Sequence, residues 1–153
     1  MAAFPSEPDC LRTALEAVGW RCTRQRSAVY HHLARLAEAH AHPTAEDLYQ
    51  AVRQDLPSIS LATVYKALEA LVTSGLVTKL PGGDGSARYD GRPGDHYHLR
   101  CVRTGSVEDL PTRFDPDLVA KLDPNLRRDL EARGFHVIGY RLELVGYFAE
   151  PEA

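Results

Sequence analysis

At 153 residues, with 44% apolar and 25% charged side chains, the chain has room for one ordinary domain or two small ones, and its composition is that of a globular protein. No apolar run approaches the roughly 20 residues of a membrane span, and the opening MAAFPSEPDC has neither a basic start nor a signal-type apolar stretch, so a cytoplasmic protein is expected. The net charge of −3 argues against a nucleic-acid partner for the chain as a whole, and three cysteines without a C-x-x-C pair argue against a disulfide framework and an all-cysteine zinc site.

The elements follow in chain order. DCLRTALEAVG reads as a helix stopped by Gly19. Thr23 caps RQRSAVYHHLARLAEAH, in which Val29, Leu33 and Leu36 recur at helical spacing. Across residues 12 to 35, Arg12, Arg21, Arg24, Arg26 and Arg35 stand against one acid, Glu16, so charge that is diluted overall is concentrated here; a solvated helix face remains the alternative. Thr44 begins AEDLYQAVRQ, with Glu46 and Asp47 in the first turn where the helix dipole favours acids. Ser60 caps LATVYKALEALVTSG, where Leu61, Val64, Leu68 and Leu71 form the stripe, Thr63 and Lys66 lie outside it and Tyr65 at its edge.

LVTKL and SARYD are strand-like and joined by the turn PGGDG. Helices followed by a two-stranded hairpin make a winged helix-turn-helix, with a plain helical bundle plus hairpin as the alternative. DGRPGD, residues 90 to 95, reads as a linker. Strand-like HYHLRCV and GSVEDL follow, then DPDLVAKL and DPNLRRDLEARG, each opened by an Asp-Pro pair, and a last strand over FHVIGYRLELVGYF. The second half is thus a small α/β domain of about 60 residues, a size at which pairing with a second copy helps.

GDHYHLRC is the stretch richest in chemistry. On an extended chain His96 and His98 share one face and Tyr97 and Leu99 the other, a bidentate platform that needs further ligands to become a metal site.

TRQRSAVYHHL, AHPTAEDLY, SLATVYKALEALVTSGLV, SARYD, DHYHLRC and GFHVIGYRLEL together resemble the ferric uptake regulator family of metal-dependent transcription factors, from about residue 11 to residue 147. The resemblance implies an α+β chain: a winged-helix DNA-binding domain over 1–90, a hinge at 91–94, and an α/β dimerisation and metal-sensing domain over 95–153. It implies a regulatory metal held between them by His42, Asp90, His96, His98 and Asp109. Three imidazoles and two carboxylates suit Fe²⁺, Mn²⁺, Ni²⁺ or Zn²⁺ and neutralise a divalent charge. His31, His32, His40 and His136 match no regulatory position.

The sequence departs from the family in one respect. Its members typically hold a structural zinc with two C-x-x-C pairs, whereas here Cys101 is followed by Thr104 and the tail GYFAEPEA has no cysteine. No four-cysteine zinc is expected. Cys101 then reads as a buried small hydrophobe, and the dimer has to rest on strand pairing and on Val137, Ile138, Leu142, Leu144 and Tyr147.

For the DNA-binding half, the resemblance implies that the fourth helix enters the major groove. Tyr65 and Lys66 would face bases, Thr63 phosphate, and Arg24 and Arg26 further phosphates. A homodimer would read a pseudo-palindromic operator as a repressor. An aspartate at 109 points to the peroxide-responsive branch of the family, with iron at the site. The alternatives are a repressor responding to manganese, iron, zinc or nickel levels, a DNA-binding protein with a purely structural metal, and a small non-haem metalloenzyme. No general base in a substrate pocket supports the last.

Overall fold

The computed structural model describes residues 8–150; residues 1–7 and 151–153, the outer ends of the two expected domains, lie outside it. Four helices come first: α1 (Pro8–Ala17), α2 (Arg24–Glu38), α3 (Ala45–Val52) and α4 (Leu61–Thr73). The last three start where a hydroxyl can satisfy an orphan N–H. Thr23 accepts from the Arg26 amide at 3.3 Å, Thr44 and Asp47 form a reciprocal capping box, and Ser60 accepts from the Thr63 amide at 3.1 Å. Each such cap stabilises its helix by about 1 kcal/mol. Gly75, in the left-handed region at φ 79, ends α4.

The helices close around one core. Leu11, Leu15, Val29, Leu33, Leu48, Val52, Val64, Leu68 and Leu71 are all but fully buried within it. The expected stripes hold in their centres, while Leu36 and Leu61 at their ends are only half-buried. Strands β1 (Thr78–Pro81) and β2 (Ala87–Asp90) form the antiparallel wing, with Thr78 opposite Asp90. Two contacts hold the wing's far end on the helices. The Tyr89 amide donates to the Pro43 carbonyl at 2.9 Å, and Gly91 passes α2 so closely that a Cβ there would meet Leu33 Cδ2 at 2.7 Å. This half is a winged helix-turn-helix.

The second half is a three-stranded sheet of order β4-β3-β5, made by β3 (His98–Cys101), β4 (Val107–Asp109) and β5 (Glu143–Gly146). β4 runs antiparallel to β3, placing Asp109 opposite His98, and β5 runs parallel to it, placing Glu143 there. Helices α5 (Leu118–Leu122) and α6 (Leu126–Glu131) lie between β4 and β5 in the chain. An isolated bridge between Ala41 and Glu108 joins the two halves.

All three strands are shorter than expected, and the reasons differ. β3 begins at His98 because His96 is turned back toward Gly94, whose carbonyl meets its Nδ1 at 2.9 Å. The expected strand over 135–148 survives only at Glu143–Gly146, because residues 135–142 have no ladder partner in this chain. Ile138, in that segment, is fully exposed. The Asp-Pro pairs act just ahead of the helices: Asp115 and Asp123 accept the amides of Asp117 and Asn125 two residues on. Nothing in α5, α6 or β5 is buried. A small satellite cluster remains, in which Tyr97, Phe114 and Tyr140 bring their rings to between 5.1 and 6.2 Å.

Candidate metal centre

The site is assembled by how α2 ends. His40 takes the left-handed position, φ 57, that glycine usually fills at a helix stop. The His40 and Ala41 amides donate back to Ala37 and Leu36, both at 3.0 Å. Past this turn Pro43 keeps His42 extended, and its ring enters the space between wing and sheet, wholly buried. Asp90 closes β2, His98 opens β3 and Asp109 closes β4 opposite it, so four separate segments aim at one point.

The five expected residues converge there: His42, Asp90, His96, His98 and Asp109 each present one ligand-capable atom, all within 4.8 Å of one another. Two carboxylates hold the group together. Asp109 Oδ1 lies 2.7 Å from His42 Nε2, 3.3 Å from His96 Nε2 and 3.7 Å from His98 Nε2. Asp90 Oδ2 lies 2.7 Å from His96 Nε2 and 3.0 Å from His98 Nε2, while Asp90 Oδ1 is 3.5 Å from His42 Nδ1. The Gly94 carbonyl on His96 Nδ1 fixes that ring, so its Nε2 faces the carboxylates. A cleft of about 710 Å³, bordered by Asp90, His96, His98, Phe114, Tyr140 and Arg141, leads to the centre from solvent.

Buried carboxylates are stable only when paired. Here the rings of His42, His96 and His98 and the Arg92 guanidinium surround them. Burial disfavours ionised His96, but hydrogen bonds with Asp109 and Asp90 outweigh it and push the imidazole up to about 10. Burial likewise raises Asp90 and Asp109, and is outweighed by the histidines around them, so both stay well below the ordinary carboxylate range. A divalent cation would displace the His96 proton and balance the two carboxylates in its place. The donors suit such an ion: imidazole nitrogens and carboxylate oxygens converge, and His42 Nδ1 is buried with no hydrogen-bond partner. No other group of three or more ligand-capable side chains converges among the described residues.

Two members of the site went unread in the sequence. His40 Nδ1 meets Asp109 Oδ2 at 2.9 Å, and the Arg92 guanidinium donates to the same oxygen at 2.8 Å, its amide donating to Asp90 Oδ1 at 2.8 Å. His40 had a visible signal, because AHAHP repeats the spacing of DHYH; Arg92, inside a linker-like run, had none. The cysteines lie elsewhere. Cys101 is buried, Cys10 exposed and Cys22 half-buried, all as free thiols.

The DNA-binding candidates lie in the helical half. Thr63, Tyr65 and Lys66 lie in the first two turns of α4, Lys66 exposed and Tyr65 45% exposed. Tyr65 O–H donates to Glu46 Oε1 at 2.9 Å, and the Thr63 hydroxyl pairs with Ser60 at 2.8 Å. Arg24 is exposed at the start of α2. Arg26 is already engaged, donating to the Arg21 carbonyl at 2.7 Å with its guanidinium 4.6 Å above the Trp20 ring. No helix among the described residues is long and apolar enough to cross a membrane.

Comparison with known proteins gives the arrangement its lineage. The ferric uptake regulator family model matches residues 17–145. The chain is 38% identical over 143 residues to the peroxide operon regulator of Bacillus subtilis, covering 92% of both. It is 36% identical over 134 residues to the peroxide-responsive repressor PerR of Staphylococcus saprophyticus, covering 88% of this chain and 84% of that one. Among solved structures, a zinc-bound manganese uptake regulator superposes with a TM-score of 0.61 at 28% identity, over 91% of this chain and 98% of its own. The Campylobacter jejuni peroxide stress regulator gives 0.60 at 27%, over 93% and 96%. Both halves of the fold and the sequence across them therefore lead to one conclusion: the chain belongs to the ferric uptake regulator family and is a transcriptional regulator, not an enzyme.

Proposed function

We propose that the chain is a metal-dependent, DNA-binding repressor, acting as a homodimer on a pseudo-palindromic operator, whose five-donor centre senses peroxide. The carrying observation is that the donors come from both halves: His42 and Asp90 belong to the winged-helix unit, His96, His98 and Asp109 to the sheet unit and its approach. A ligand that needs all five favours the one relative orientation in which they meet, and so couples site occupancy to the placement of α4. Residues 91–94 are the hinge of that coupling. Arg24, Arg26, Thr63, Tyr65 and Lys66 are the DNA contacts, with Arg26 held in place over Trp20.

What the sheet unit leaves open supports the homodimer. β5 is an edge strand, and Ile138, Leu144 and Tyr147 are exposed beside or on it. An open edge flanked by apolar side chains is a template for a second strand.

The peroxide reading rests on the two relatives named for peroxide and on Asp109. Divalent iron held by these five residues would supply the redox chemistry by which hydrogen peroxide puts one oxygen on a ligand ring in place of a ring hydrogen and leaves the other as water. The chain's part is geometric. His42, shut in between Asp90 and Asp109, and His96, fixed by Gly94, have nowhere to turn from an oxidant formed beside them. An oxygen added to either ring removes a donor, frees a carboxylate and dissolves the bridge between the halves. The test is peptide mass spectrometry after hydrogen peroxide treatment of the Fe²⁺-loaded and Mn²⁺-loaded protein. Added oxygen on His42 or His96 in the iron form alone is the expected result. Oxidation confined to Cys101, or absent from the iron form, leaves a sensor of metal concentration, the reading that the likeness to the manganese uptake regulator supports.

A further inference from the structure

We propose that Glu46 is a positioning residue that sets which bases Tyr65 accepts, making the phenol a reader of adenine or cytosine. The inference rests on the DNA-binding reading of α4 and goes beyond it. Tyr65 lies in the first two turns of α4 and is 45% exposed, yet its hydroxyl is not free: it donates to Glu46 Oε1 at 2.9 Å, across from one helix of the helix-turn-helix to the other.

The direction of this bond is fixed by chemistry. A carboxylate only accepts, and a phenol has one proton, so the Tyr65 proton is committed to Glu46 and its oxygen turns a lone pair outward. Glu46 lies in the first turn of α3, where the helix dipole favours negative charge. It is also the first-turn acid left over for the purpose. Asp47 is occupied by the capping box with Thr44 and lies 3.9 Å from Arg88.

A lone pair facing the major groove selects base-edge donors. Those are the N6 amino group of adenine and the N4 amino group of cytosine, whereas guanine and thymine present O6, N7 and O4, all acceptors. The second oxygen of Glu46 reinforces the choice, since it too can only accept. A phenol with its proton free would have no such bias and could donate to guanine or thymine equally well.

The experiment is selection from a pool of random-sequence DNA duplexes by full-length Mn²⁺-loaded protein, comparing wild type with Tyr65→Phe, Glu46→Ala and Glu46→Gln. All four carry the same thermal-melt check of folding. Wild type is expected to recover one position per half-site that is adenine or cytosine, with guanine or thymine about fivefold weaker or worse. Tyr65→Phe and Glu46→Ala should flatten that position and no other. Glu46→Gln should keep it, because the glutamine carbonyl accepts the same phenol proton. Glu46→Ala with the preference intact would overturn the proposal, as would Tyr65→Phe flattening a position that prefers guanine or thymine. A wild-type protein that enriches no sequence at all would overturn the DNA-binding reading itself, a result distinct from either.

Discussion

The two halves of this chain bury their apolar side chains to very different extents. In the winged-helix half, sixteen residues between Leu11 and Tyr89 form one buried cluster. In the other half α5, α6 and β5 bury nothing, and Leu122, Phe135, Ile138, Val145 and Phe148 are exposed. The first half is a closed fold. The second leaves apolar side chains open, the surface that the proposed homodimer would cover. The candidate metal centre lies on the seam between them, its five residues drawn from both halves.

The largest effect that would sharpen this contrast is in the closed half. Leu33→Ala removes a fully buried side chain that also carries Gly91, and should cost about 2–5 kcal/mol in chemical denaturation. In the open half Ile138→Asp should leave the monomer's fold intact but disrupt the dimer, weakening association by about 2 kcal/mol or more in sedimentation equilibrium. A monomer stability loss as large as that of Leu33→Ala would mean that the second half has a core of its own.

Cys101, in that open half, carries the next expectation. With Cys101 buried and unpaired, elemental analysis should find no inert zinc, and a strong chelator should leave the dimer intact. One tightly held zinc per chain that survives dialysis would contradict this. The smallest effect is expected at the seam. His40→Ala keeps all five donors but removes a partner of Asp109, and should weaken metal binding by about tenfold in a competition titration.

Much of the closed half was legible because its signals are local. Thr23, Thr44 and Ser60 each announced a cap three residues before the amide it serves, and PGGDG announced the wing's turn. The five converging residues were legible only as a family pattern, since no rule of periodicity brings His42 to Asp109 across sixty-odd residues of chain. His40 escaped because it matches no regulatory position of that pattern, although AHAHP repeats the spacing of DHYH. The last strand was overread for a different reason. Its residues alternate like a strand, but strand formation needs a partner, and only Glu143–Gly146 finds one within a single chain.

The claim that the seam controls DNA binding is tested most directly by footprinting the DNA upstream of the protein's own gene, with Mn²⁺ and without it, using wild type and His96→Ala. The account predicts a symmetric protected region that appears for wild type only with metal and never for His96→Ala, although both proteins remain folded dimers. Protection by wild type without metal, or equal protection by His96→Ala, would contradict it.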